Sequence, residues 1–399
     1  MVTTPEKPGD IVIIGARRTP KGKLLGRLAP LTAVELGAHA ITASLESTGI
    51  DAAAIDHVIM GQVVQAGAGQ NPARQAAVAA GIALDVPAMT VNSVCLSGLR
   101  AITDAARLIR LGEALVVVAG GQESMSNAPH LLPQARKGTA YGSMSTRDSL
   151  ERDALTDAFD HHSMGVNTDE GNHRLGTPRE DQDRAAALSH RRAAAAWEEG
   201  IFHDEIAPIE IPQHKKGNIT VDQDEGIRPD STVERLAALR PAFVKDGTIT
   251  AGNSSPISDG AAAVILTTRS WAQEHGLSPL ATIEGWANVA GPDTTLHAQP
   301  AHAVLRALDT SGWKLNDLDF LEINEAFGAV VVESLKQLSY PNDRTNIHGG
   351  AIAMGHPVGA SGARLVVHTA HELARRESGR AGVAICGGGG QGDALLLRR

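Results

Sequence analysis

Cysteine, aromatic residues and positive charge are all scarce in this sequence. It has 2 cysteines among 399 residues, 3% aromatic residues and a formal net charge of -9. Cys95 and Cys386 lie too far apart for the CxxC spacing of zinc or redox sites, and two cysteines cannot form a disulfide framework. The acidic balance and the few aromatics provide neither the basic stripe nor the stacking platform of a nucleic-acid-binding protein. We therefore expect a globular protein with reduced thiols and no nucleic-acid partner.

Long apolar runs are missing as well. No run in the sequence approaches the roughly 18 apolar residues that a helix needs to cross a bilayer. Residues 1–10 have neither an apolar signal core nor the arginine-rich amphipathic character of a presequence. These features predict a cytoplasmic protein with no membrane partner.

Glycine, by contrast, is concentrated in two segments, residues 349–364 and 386–392. Glycines at this density let the backbone approach a ligand, or supply turns that residues with a Cβ atom rarely adopt. The first segment contains His356 and the second begins at Cys386. A lone cysteine is usually a small buried hydrophobe. Its place beside a glycine run, with a histidine between glycine turns nearby, favours catalysis instead.

Predicted strands and helices alternate along most of the chain. Short apolar runs such as 11–14 and 114–119 are typical of buried strands, and helical patterns follow capping residues such as Thr32. This alternation predicts an α/β protein with a largely parallel sheet covered on both faces. Further strands are expected at 58–60, 88–92, 261–266, 281–290, 320–324 and 383–386, and further helices at 72 onward, 98–111, 301–308, 326–338 and 361–376.

The residue composition changes between about residues 126 and 252. This stretch is rich in charged residues, glycine and histidine, and Thr177-Pro-Arg-Glu180 has the pattern of a capping box before an alanine-rich helix. A structureless loop of this length is improbable in a compact protein. We predict an N-terminal domain of residues 1–126 and 255–280, a loop domain of 127–254, and a C-terminal domain of 281–399.

The two flanking parts repeat each other in sequence. Residues 94–100 align with 358–364, residues 56–61 with 319–324, and residues 120–122 with 389–391. Three alignments in the same order indicate a duplicated domain. Duplication brings equivalent loops together near a pseudo-two-fold axis, where Cys95, His356 and Cys386 are expected to meet.

These three residues predict acyl transfer through a thioester. Cys95 lies where a strand ends and a helix begins, and a helix N-terminus stabilises a thiolate. An imidazole such as His356 activates a neighbouring thiol by taking its proton. Cys386, at the end of a strand and next to glycine backbone, is a second thiol suited to moving a proton.

Six sequence blocks resemble the signature blocks of the thiolases, the acyl-CoA:acetyl-CoA C-acyltransferases. They occur in family order over nearly the whole chain, from about residue 10 to residue 397. The resemblance implies a duplicated, five-layered α/β/α/β/α fold with an inserted loop domain. The blocks are Val-Asn-Ser-Val-Cys at 91–95 with Ser97 and Gly98, Gly-Gly-Gln-Glu-Ser-Met at 120–125, Ala-Gly-Asn-Ser-Ser at 251–255, Asn-Glu-Ala-Phe at 324–327, residues 349–357, and Cys-Gly-Gly-Gly at 386–389.

The resemblance also implies a role for each matching residue. Cys95 is the nucleophile that becomes acylated, and His356 activates it and offers a ring N–H to the thioester oxygen. Asn324 holds a water that shares this role, and Cys386 abstracts a proton from the second acetyl-CoA. The backbone N–H groups of Cys95 and Gly388 form a second oxyanion hole. No metal and no permanently bound cofactor are required, since coenzyme A thioesters are substrates.

Other positions bear on the substrate. Arg228 and Ser255 match family positions that contact the adenine end and the pantetheine of coenzyme A. Met164 and Phe327 fall where the acetoacetyl-CoA branch narrows its acyl pocket. In place of the family's loop-domain histidine stands Ser163, with His162 one place and His161 two places earlier. Surface lysine pairs such as Lys215 and Lys216 are usually just solvated. The alternative is that this pair attracts the phosphates of coenzyme A. Leu96 occupies a position where the family more often has a small residue.

Several alternatives stay open on the sequence alone. The resemblance implies reversible condensation of two acetyl-CoA to acetoacetyl-CoA and free coenzyme A through an acyl-cysteine. The alternatives are a broad or longer-chain 3-ketoacyl-CoA thiolase of fatty-acid β-oxidation, a decarboxylating ketoacyl synthase, and a non-catalytic thiolase-like acyl-CoA-binding protein. A metal site at His161, His162 and His173 is a further alternative, although the spacing fits common zinc sites poorly. The resemblance implies a homo-oligomer, a dimer or tetramer, with a tetramerisation loop at 126–141.

Overall fold

The architecture is given by a computed structural model that describes residues 6–213 and 217–399. Its strands, numbered in chain order, account for most of the predicted strand positions. They are β1 Ile11–Arg18, β2 Gly22–Lys23, β3 His57–Gly61, β4 Ala88–Val91, β5 Val117–Ser124, β6 His130–Leu131, β7 Arg147–Asp148, β8 Ile209–Gln213, β9 Gly217–Val221, β10 Ser258–Thr268, β11 Ala281–Ala290, β12 Phe320–Ile323, β13 Arg380–Gly387 and β14 Gln391–Arg398.

The helices begin close to the predicted capping residues. Thr32 forms a complete capping box at the start of the first helix, and Gly49 ends that helix in a left-handed conformation. The helices are α1 Ala33–Thr48, α2 Pro72–Ala79, α3 Ser97–Leu111, α4 Met164–Leu175, α5 Arg179–Glu198, α6 Val233–Ala237, α7 Arg269–Glu274, α8 Gln299–Ser311, α9 Gly328–Leu338, α10 Ala351–Met354 and α11 Ser361–Arg376.

The predicted capping box at Thr177 is wrong. Helix α5 starts after Pro178 without a side-chain cap. The Thr177 hydroxyl donates instead to Glu333 Oε1 at 2.8 Å. A charge-assisted hydrogen bond to a carboxylate is about twice as strong as a neutral one, which favours this orientation over one in which the hydroxyl accepts from a backbone N–H of the helix.

The main sheet has the order β12-β13-β14-β11-β1-β10-β5-β3-β4, with β2 paired to β10. Only the pairs β3–β4, β3–β5 and β12–β13 of this sheet are parallel. The prediction of a largely parallel sheet is therefore wrong, and the sheet is mixed. The short turn at 388–390 joins β13 to β14 as a hairpin, and a hairpin pairs its strands antiparallel.

The packing forms five layers. Helices α3 and α11 share one core cluster with strands of both halves of the sheet, including Leu99, Val264, Val366 and Val383. On the far face of the N-terminal half, α1 and α2 pack over the same strands. On the far face of the C-terminal half lie α8 and α9. The layered α/β/α/β/α fold is confirmed, with two helices buried in its middle.

The two halves repeat the same strand order. In the N-terminal half, β3 pairs with β5 in parallel, and β5 then pairs with β10 and β10 with β1 in antiparallel directions. In the C-terminal half β12, β13, β14 and β11 follow the same pattern. Helices α3 and α11 both begin at the serine of the aligned segments, Ser97 and Ser361. The repeat therefore extends from sequence to topology.

One of the three sequence alignments is wrong. Gly120 pairs with Met60, and the equivalent pair in the other half is Ile323 with Ala384. Residues 120–122 therefore correspond to 384–386, while residues 389–391 lie in the turn after β13 and at the start of β14. The Gly-Gly-Gln sequences match without being structurally equivalent, because glycine is frequent in both segments.

Between the halves, the chain forms smaller units. Strands β6 and β7 make one two-stranded sheet and β8 and β9 another, and α4, α5 and α6 lie between or after them. Lys215 and Lys216 lie outside the described residues. Within residues 6–213 and 217–399, no helix combines the length and the apolar character needed to cross a membrane.

Candidate active site

Cys95 lies in a tight turn between β4 and α3. Val94, the residue before it, has a positive φ of 51°, which is uncommon for a β-branched residue and indicates strain. The Asn92 side chain accepts a hydrogen bond from Val94 N at 3.0 Å. The Ser97 hydroxyl donates to Val94 O at 2.6 Å and accepts from Ser93 N at 2.9 Å. These bonds hold the turn in the conformation that presents Cys95.

Burial dominates the electrostatics of Cys95, although the residue is partly exposed. It raises the pKa of the thiol to about 11, and the charge of Glu123 adds to the increase. The backbone N–H groups of Gly388 and of Cys95 itself oppose it. The backbone N–H groups thus act in the predicted direction, but burial outweighs them. Cys95 rests as a thiol and needs a base to become a nucleophile.

His356 is the residue predicted to act as that base. Its Nδ1 lies 2.5 Å from the Ser361 hydroxyl, which itself donates to Pro357 O at 2.9 Å. Because the hydroxyl proton is used there, Nδ1 carries the ring proton and donates, which leaves Nε2 unprotonated. Nε2 is buried and makes no hydrogen bond within the described residues. Burial, with the charges of Arg364 and Lys21, lowers the pKa of His356 to about 3, so the ring is neutral.

Backbone pairing brings His356 to the same place as the thiols. His356 forms a bridge with Ile257, and Ile257 and Val358 belong with Cys95 to one apolar cluster. The carbonyl of Gly359 comes so close to Gly98 that a Cβ atom there would lie 2.8 Å from it. The predicted meeting of the two duplicated loops therefore takes place, and it requires glycine at Gly98.

Cys386 lies at the end of β13 and is 1% exposed. It packs in an apolar cluster with Phe327, Ala329 and Val330, with Met164 against it. Burial raises the pKa of this thiol well above its ordinary value, and the neighbouring Cys95 raises it further. The two thiols thus lie within electrostatic reach of each other.

Asn324 follows β12 and is fully buried. Its backbone N–H donates to Ala384 O at 2.9 Å, two residues before Cys386. Its side-chain amide has no hydrogen-bond partner within the described residues. A buried amide without a protein partner costs about 1–3 kcal/mol unless it binds water or a ligand. This environment fits the water-binding role that the family resemblance implies.

Sequence reasoning gave no role to Glu123, on β5, which connects the loops of the site. Its carboxylate accepts hydrogen bonds from Val63 N at 2.9 Å, Val64 N at 3.2 Å and Gly359 N at 2.9 Å. Burial raises its pKa to about 7. Glu123 was part of a signature block, but only the fold reveals that its partners are the backbone of two other loops.

A cleft of about 710 Å³ opens at this site. Its walls include Val94 in the turn before α3, Gly388 in the turn after Cys386, and Met164. Phe159, 76% exposed, forms part of its rim. A larger cleft of about 790 Å³ lies elsewhere, along α5 and α9, and contains none of the predicted catalytic residues. The smaller cleft is lined by Val63, Gln65, Ala66, Asn92, Val94, Arg152, Asp153, Ala154, Thr156, Asp157, Ala158, Phe159, Met164, Gly388, Gly389 and Gln391.

The residues predicted to shape the acyl pocket lie on two sides of Cys386. A Cβ atom at Gly388 would lie 3.6 Å from Met164 Sδ, and the Phe327 ring meets Phe243 edge-on at 6.4 Å. Leu96 is fully buried, and a Cβ atom at Gly387 would lie 2.7 Å from its Cγ. The larger Leu96 is therefore accommodated by glycine on the facing strand.

Ser163 has a structural role, because its hydroxyl caps helix α4 by accepting from Val166 N at 3.3 Å. His161 and His162 are exposed, and His162 Nδ1 lies 3.5 Å from Glu170. No group of three or more histidine, cysteine or acidic side chains within residues 6–213 and 217–399 is placed to hold a metal ion. The structure thus gives the proposed histidine cluster no set of ligands.

The two residues matched to coenzyme A contacts are less central. Ser255 is partly buried and its hydroxyl donates to Ala326 O at 2.9 Å, which places it beside the 324–327 segment. Arg228 is exposed, and its backbone N–H donates to His190 Nδ1 at 3.1 Å. Neither residue lines the 710 Å³ cleft. Their role in binding coenzyme A stays a prediction.

Comparison with known proteins covers nearly the whole chain. Residues 11–270 match the family model of the thiolase N-terminal domain, and residues 277–399 match that of the thiolase C-terminal domain. A "Probable acetyl-CoA acetyltransferase" of Mycolicibacterium smegmatis is 54% identical over 97% of this chain and 100% of its own. An "Acetyl-CoA acetyltransferase" of Pseudomonas aeruginosa is 48% identical over 98% and 99%.

The fold agrees with the sequence relatives. The crystal structure of the Bacillus anthracis acetyl-CoA acetyltransferase superposes with a TM-score of 0.94 at 38% identity, covering 98% of each chain. Both halves of the chain, the layered fold and the order of the signature blocks lead to one assignment: the chain belongs to the thiolase family.

Proposed function

We propose that this protein is an acetyl-CoA C-acetyltransferase, which condenses two acetyl-CoA molecules to acetoacetyl-CoA and free coenzyme A, reversibly and through an acyl-cysteine. The observation that carries the proposal is the combination of two neighbouring thiols with a neutral imidazole whose Nε2 is free to accept a proton. The printed names of the relatives describe the same reaction class.

In the first half-reaction, Cys95 gives its proton to His356 Nε2, and its sulfur attacks the carbonyl carbon of acetyl-CoA. The carbon–sulfur bond to coenzyme A then breaks. The departing coenzyme A thiolate takes the proton of Cys386, so free coenzyme A leaves and Cys386 becomes a thiolate. The positive charge on His356 and the negative charge on Cys386 compensate each other inside the site.

In the second half-reaction, the Cys386 thiolate removes a proton from the methyl group of a second acetyl-CoA. The resulting enolate carbon attacks the acetyl group on Cys95, and the bond from that carbonyl carbon to the Cys95 sulfur breaks. Cys95 regains its proton from His356. Both thiols and the imidazole have then returned to their resting states, so no external acid or base is consumed.

Negative charge develops on a thioester oxygen in both halves, and the site has donors for it. After protonation, Nε2 of His356 offers an N–H, and the amide of Asn324 provides a water-binding group. The backbone N–H groups of Cys95 and Gly388, which act on the Cys95 sulfur, form the other set. Loss of one such donor typically costs about 3 kcal/mol in the transition state.

A longer-chain 3-ketoacyl-CoA thiolase is the second candidate, and one observation favours it. Ser163 occupies the place of a substrate-side histidine and is used as a helix cap, so this side of the pocket lacks an imidazole. Met164 and Phe327, however, remain in place beside Cys386 as apolar walls. The short-chain assignment rests on these two walls.

We also propose that the enzyme acts in the cytoplasm as a homo-oligomer, a dimer or tetramer, with the 126–141 segment as the tetramerisation loop. In this proposal it serves lipid metabolism. Acyl-CoA and free coenzyme A are its partners, and no bound cofactor takes part.

Thiolysis of 3-ketoacyl-CoA substrates from four carbons upward, with free coenzyme A, tests the substrate. We expect activity confined to acetoacetyl-CoA. We expect Met164→Ala to admit longer chains, because the smaller side chain widens the acyl pocket. Equal or faster cleavage of longer chains by the unaltered protein would reject the acetoacetyl-CoA assignment in favour of the second candidate.

A further inference from the structure

The turn between β13 and β14 consists of three glycines, residues 388–390, which we call the glycine turn. Gly389 and Gly390 have positive φ values of 75° and 69°. A run of glycines has little preference of its own for one backbone conformation. The glycine turn therefore keeps one geometry only where neighbouring groups hold it, and those groups decide where the Gly388 N–H points.

The glycine turn lies directly beside the turn that presents Cys95. A Cβ atom at Gly388 would lie 3.3 Å from Cγ1 of Val94, the residue before Cys95. The Gly388 N–H acts on the Cys95 sulfur, and residues of both turns line the 710 Å³ cleft. A displacement of the glycine turn therefore moves a donor of the proposed oxyanion hole.

Two side chains hold the peptide group that joins Gly388 to Gly389. Gln391 Nε2 donates to Gly388 O at 3.0 Å, and Gly389 N donates to Asp157 Oδ2 at 3.1 Å. Gln391 belongs to the same hairpin, whereas Asp157 lies 232 residues earlier in the chain. Asp157 therefore anchors the glycine turn from outside the hairpin.

Asp157 can serve as an anchor because its own loop is closed. Its backbone N–H donates to His162 O at 2.8 Å, and Thr156 forms a bridge with Ser163. Its carboxylate oxygen Oδ1 accepts from Phe159 N at 2.8 Å. The side chain is buried, with the residue 3% exposed, and these hydrogen bonds offset the cost of removing a carboxylate from water.

The two carboxylate oxygens of Asp157 have separate roles. Oδ1 closes an Asx turn to Phe159, two residues on, which an asparagine or serine side chain also forms. Oδ2 accepts the N–H of the glycine turn, and a charged acceptor makes such a bond about twice as strong as a neutral one. Substitutions can therefore remove the second role and keep the first.

We propose that Asp157 is a positioning residue for the reaction: its carboxylate holds the glycine turn so that the Gly388 N–H faces the acyl oxygen on Cys95. The inference rests on the proposed function, in which that N–H is an oxyanion donor. Asp157 acts through Gly389 and takes no part in making or breaking bonds. Its effect is therefore expected in the transition state and not in substrate binding.

The test changes one acceptor atom and keeps the shape of the side chain. Asp157→Asn keeps an oxygen for the Asx turn but places an NH2 group, which cannot accept a hydrogen bond, opposite Gly389 N. Asp160→Asn is the matched control, because Asp160 accepts from His162 N at 2.9 Å in the same loop and is exposed. The kcat and KM of acetoacetyl-CoA thiolysis are measured for wild type and both variants.

We expect Asp157→Asn to lower kcat about tenfold or more and to change KM less than about twofold, because losing a whole oxyanion donor costs about 100-fold to 1000-fold and misplacing it costs part of that. Asp160→Asn should stay within about twofold of wild type, as exposed substitutions usually do. Equal effects of the two variants, or a rise in KM at constant kcat, would overturn the proposal. Asp157→Ser, whose shorter side chain still closes the local turn, gives the same comparison if the asparagine variant does not fold.

Alkylation of Cys95 by iodoacetamide, measured on the Cys95 peptide by mass spectrometry, provides a readout that does not involve acetoacetyl-CoA. Burial raises the pKa of the Cys95 thiol and the Gly388 N–H opposes the increase. The labelling profile of Asp157→Asn should therefore move about 0.5 to 1 pH unit higher, and that of Asp160→Asn should not.

The two readouts separate failure of the inference from failure of the proposed function. If the wild type lacks thiolysis but the labelling shift occurs in Asp157→Asn, the proposed function fails and the role of Asp157 stands. If the wild type is active and the labelling profile of Asp157→Asn is unmoved, the role of Asp157 fails alone.

Discussion

Two turns of the duplicated fold begin equivalent helices and perform different chemistry. In the turn before α3, the Ser97 hydroxyl donates to Val94 O, three residues back. In the turn before α11, the Ser361 hydroxyl donates to Pro357 O, four residues back. Ser97 additionally accepts a backbone N–H, whereas Ser361 accepts the Nδ1–H of His356. One serine stabilises a backbone and the other orients a side chain.

The difference shows how a duplicated unit can divide an active site between its copies. The first turn has a strained residue, Val94, directly before the proposed nucleophile, and the second turn has a proline directly after the proposed base. Each copy contributes what the other lacks, and the two helices between the sheets bring both contributions together. The predictions below test whether the two turns really have these separate functions.

The largest expected effect is that of Cys95→Ser in the first turn. Acylation and thiolysis should be lost to the background level, because a hydroxyl with its much higher pKa cannot be activated by the same neutral imidazole. Steady-state thiolysis and condensation assays measure the loss. Residual activity within tenfold of wild type would mean that another residue is acylated.

Cys386→Ser should remove condensation but still allow Cys95 to be acylated, because a coenzyme A thiolate can leave without the proton of Cys386. Cys386 is the proposed base for the methyl proton, and Cys95 with His356 does not depend on it for attack. Acetoacetyl-CoA formation, followed at its enolate absorbance, should fall by about 100-fold or more, the typical contribution of a general base. Condensation at the wild-type rate would contradict the assignment of the base.

Ser361→Ala in the second turn should lower kcat by about fivefold with little change in KM. The variant removes the acceptor that holds Nδ1, and a net hydrogen bond is worth about 1 kcal/mol. The kcat and KM values for acetoacetyl-CoA thiolysis separate the two effects. A rise in KM at constant kcat would show that Ser361 shapes substrate binding and not the base.

Ser97→Ala, its counterpart in the first turn, should affect stability more than chemistry. It leaves Ser93 N and Val94 O without their partner, at a cost of about 1–3 kcal/mol in the free energy of unfolding. Denaturant unfolding measures the loss, and kcat at a permissive temperature should change less than in Ser361→Ala. The reverse ranking would remove the distinction between the two turns.

The smallest expected effect is that of pH on the wild type. Burial, Arg364 and Lys21 lower the pKa of His356 to about 3, so the base remains neutral well below the ordinary histidine range. The stability due to this neutral ring is present above about pH 6.5 and is lost as the pH falls below it, since the unfolded chain binds the proton more readily. The kcat/KM should change less than about twofold between pH 7.5 and 6. An acid limb centred near 6.5 would mean that His356 has an ordinary pKa.

Local sequence patterns predicted most of the secondary structure and the identity of the site. Capping at Thr32, the bounds of β11 and of α11, and the meeting of Cys95 with His356 follow from residue patterns and from duplication. The direction of strand pairing did not follow, because apolar runs do not indicate whether a strand pairs parallel or antiparallel. The raised pKa of Cys95 did not follow either, since the depth of its burial depends on the whole fold.

Two residues show what sequence alone could not provide. Glu123 connects three backbone groups from loops far apart in the chain, and nothing in its local sequence indicates those partners. Lys21 is a lysine in a polar stretch that sequence reasoning passed over, yet it is 2% exposed. Burial of charged residues is a tertiary property, and it determines the electrostatics of the site.

The most direct test of the two-turn account is to identify the acylated residue. Cys386→Ser protein is incubated with acetyl-CoA, denatured in acid, digested and analysed by peptide mass spectrometry. The account predicts one acetyl group, on the peptide containing Cys95, with acetoacetyl-CoA absent from the supernatant. An acetyl group on another residue, or an unmodified Cys95 in protein that still releases coenzyme A, would contradict it.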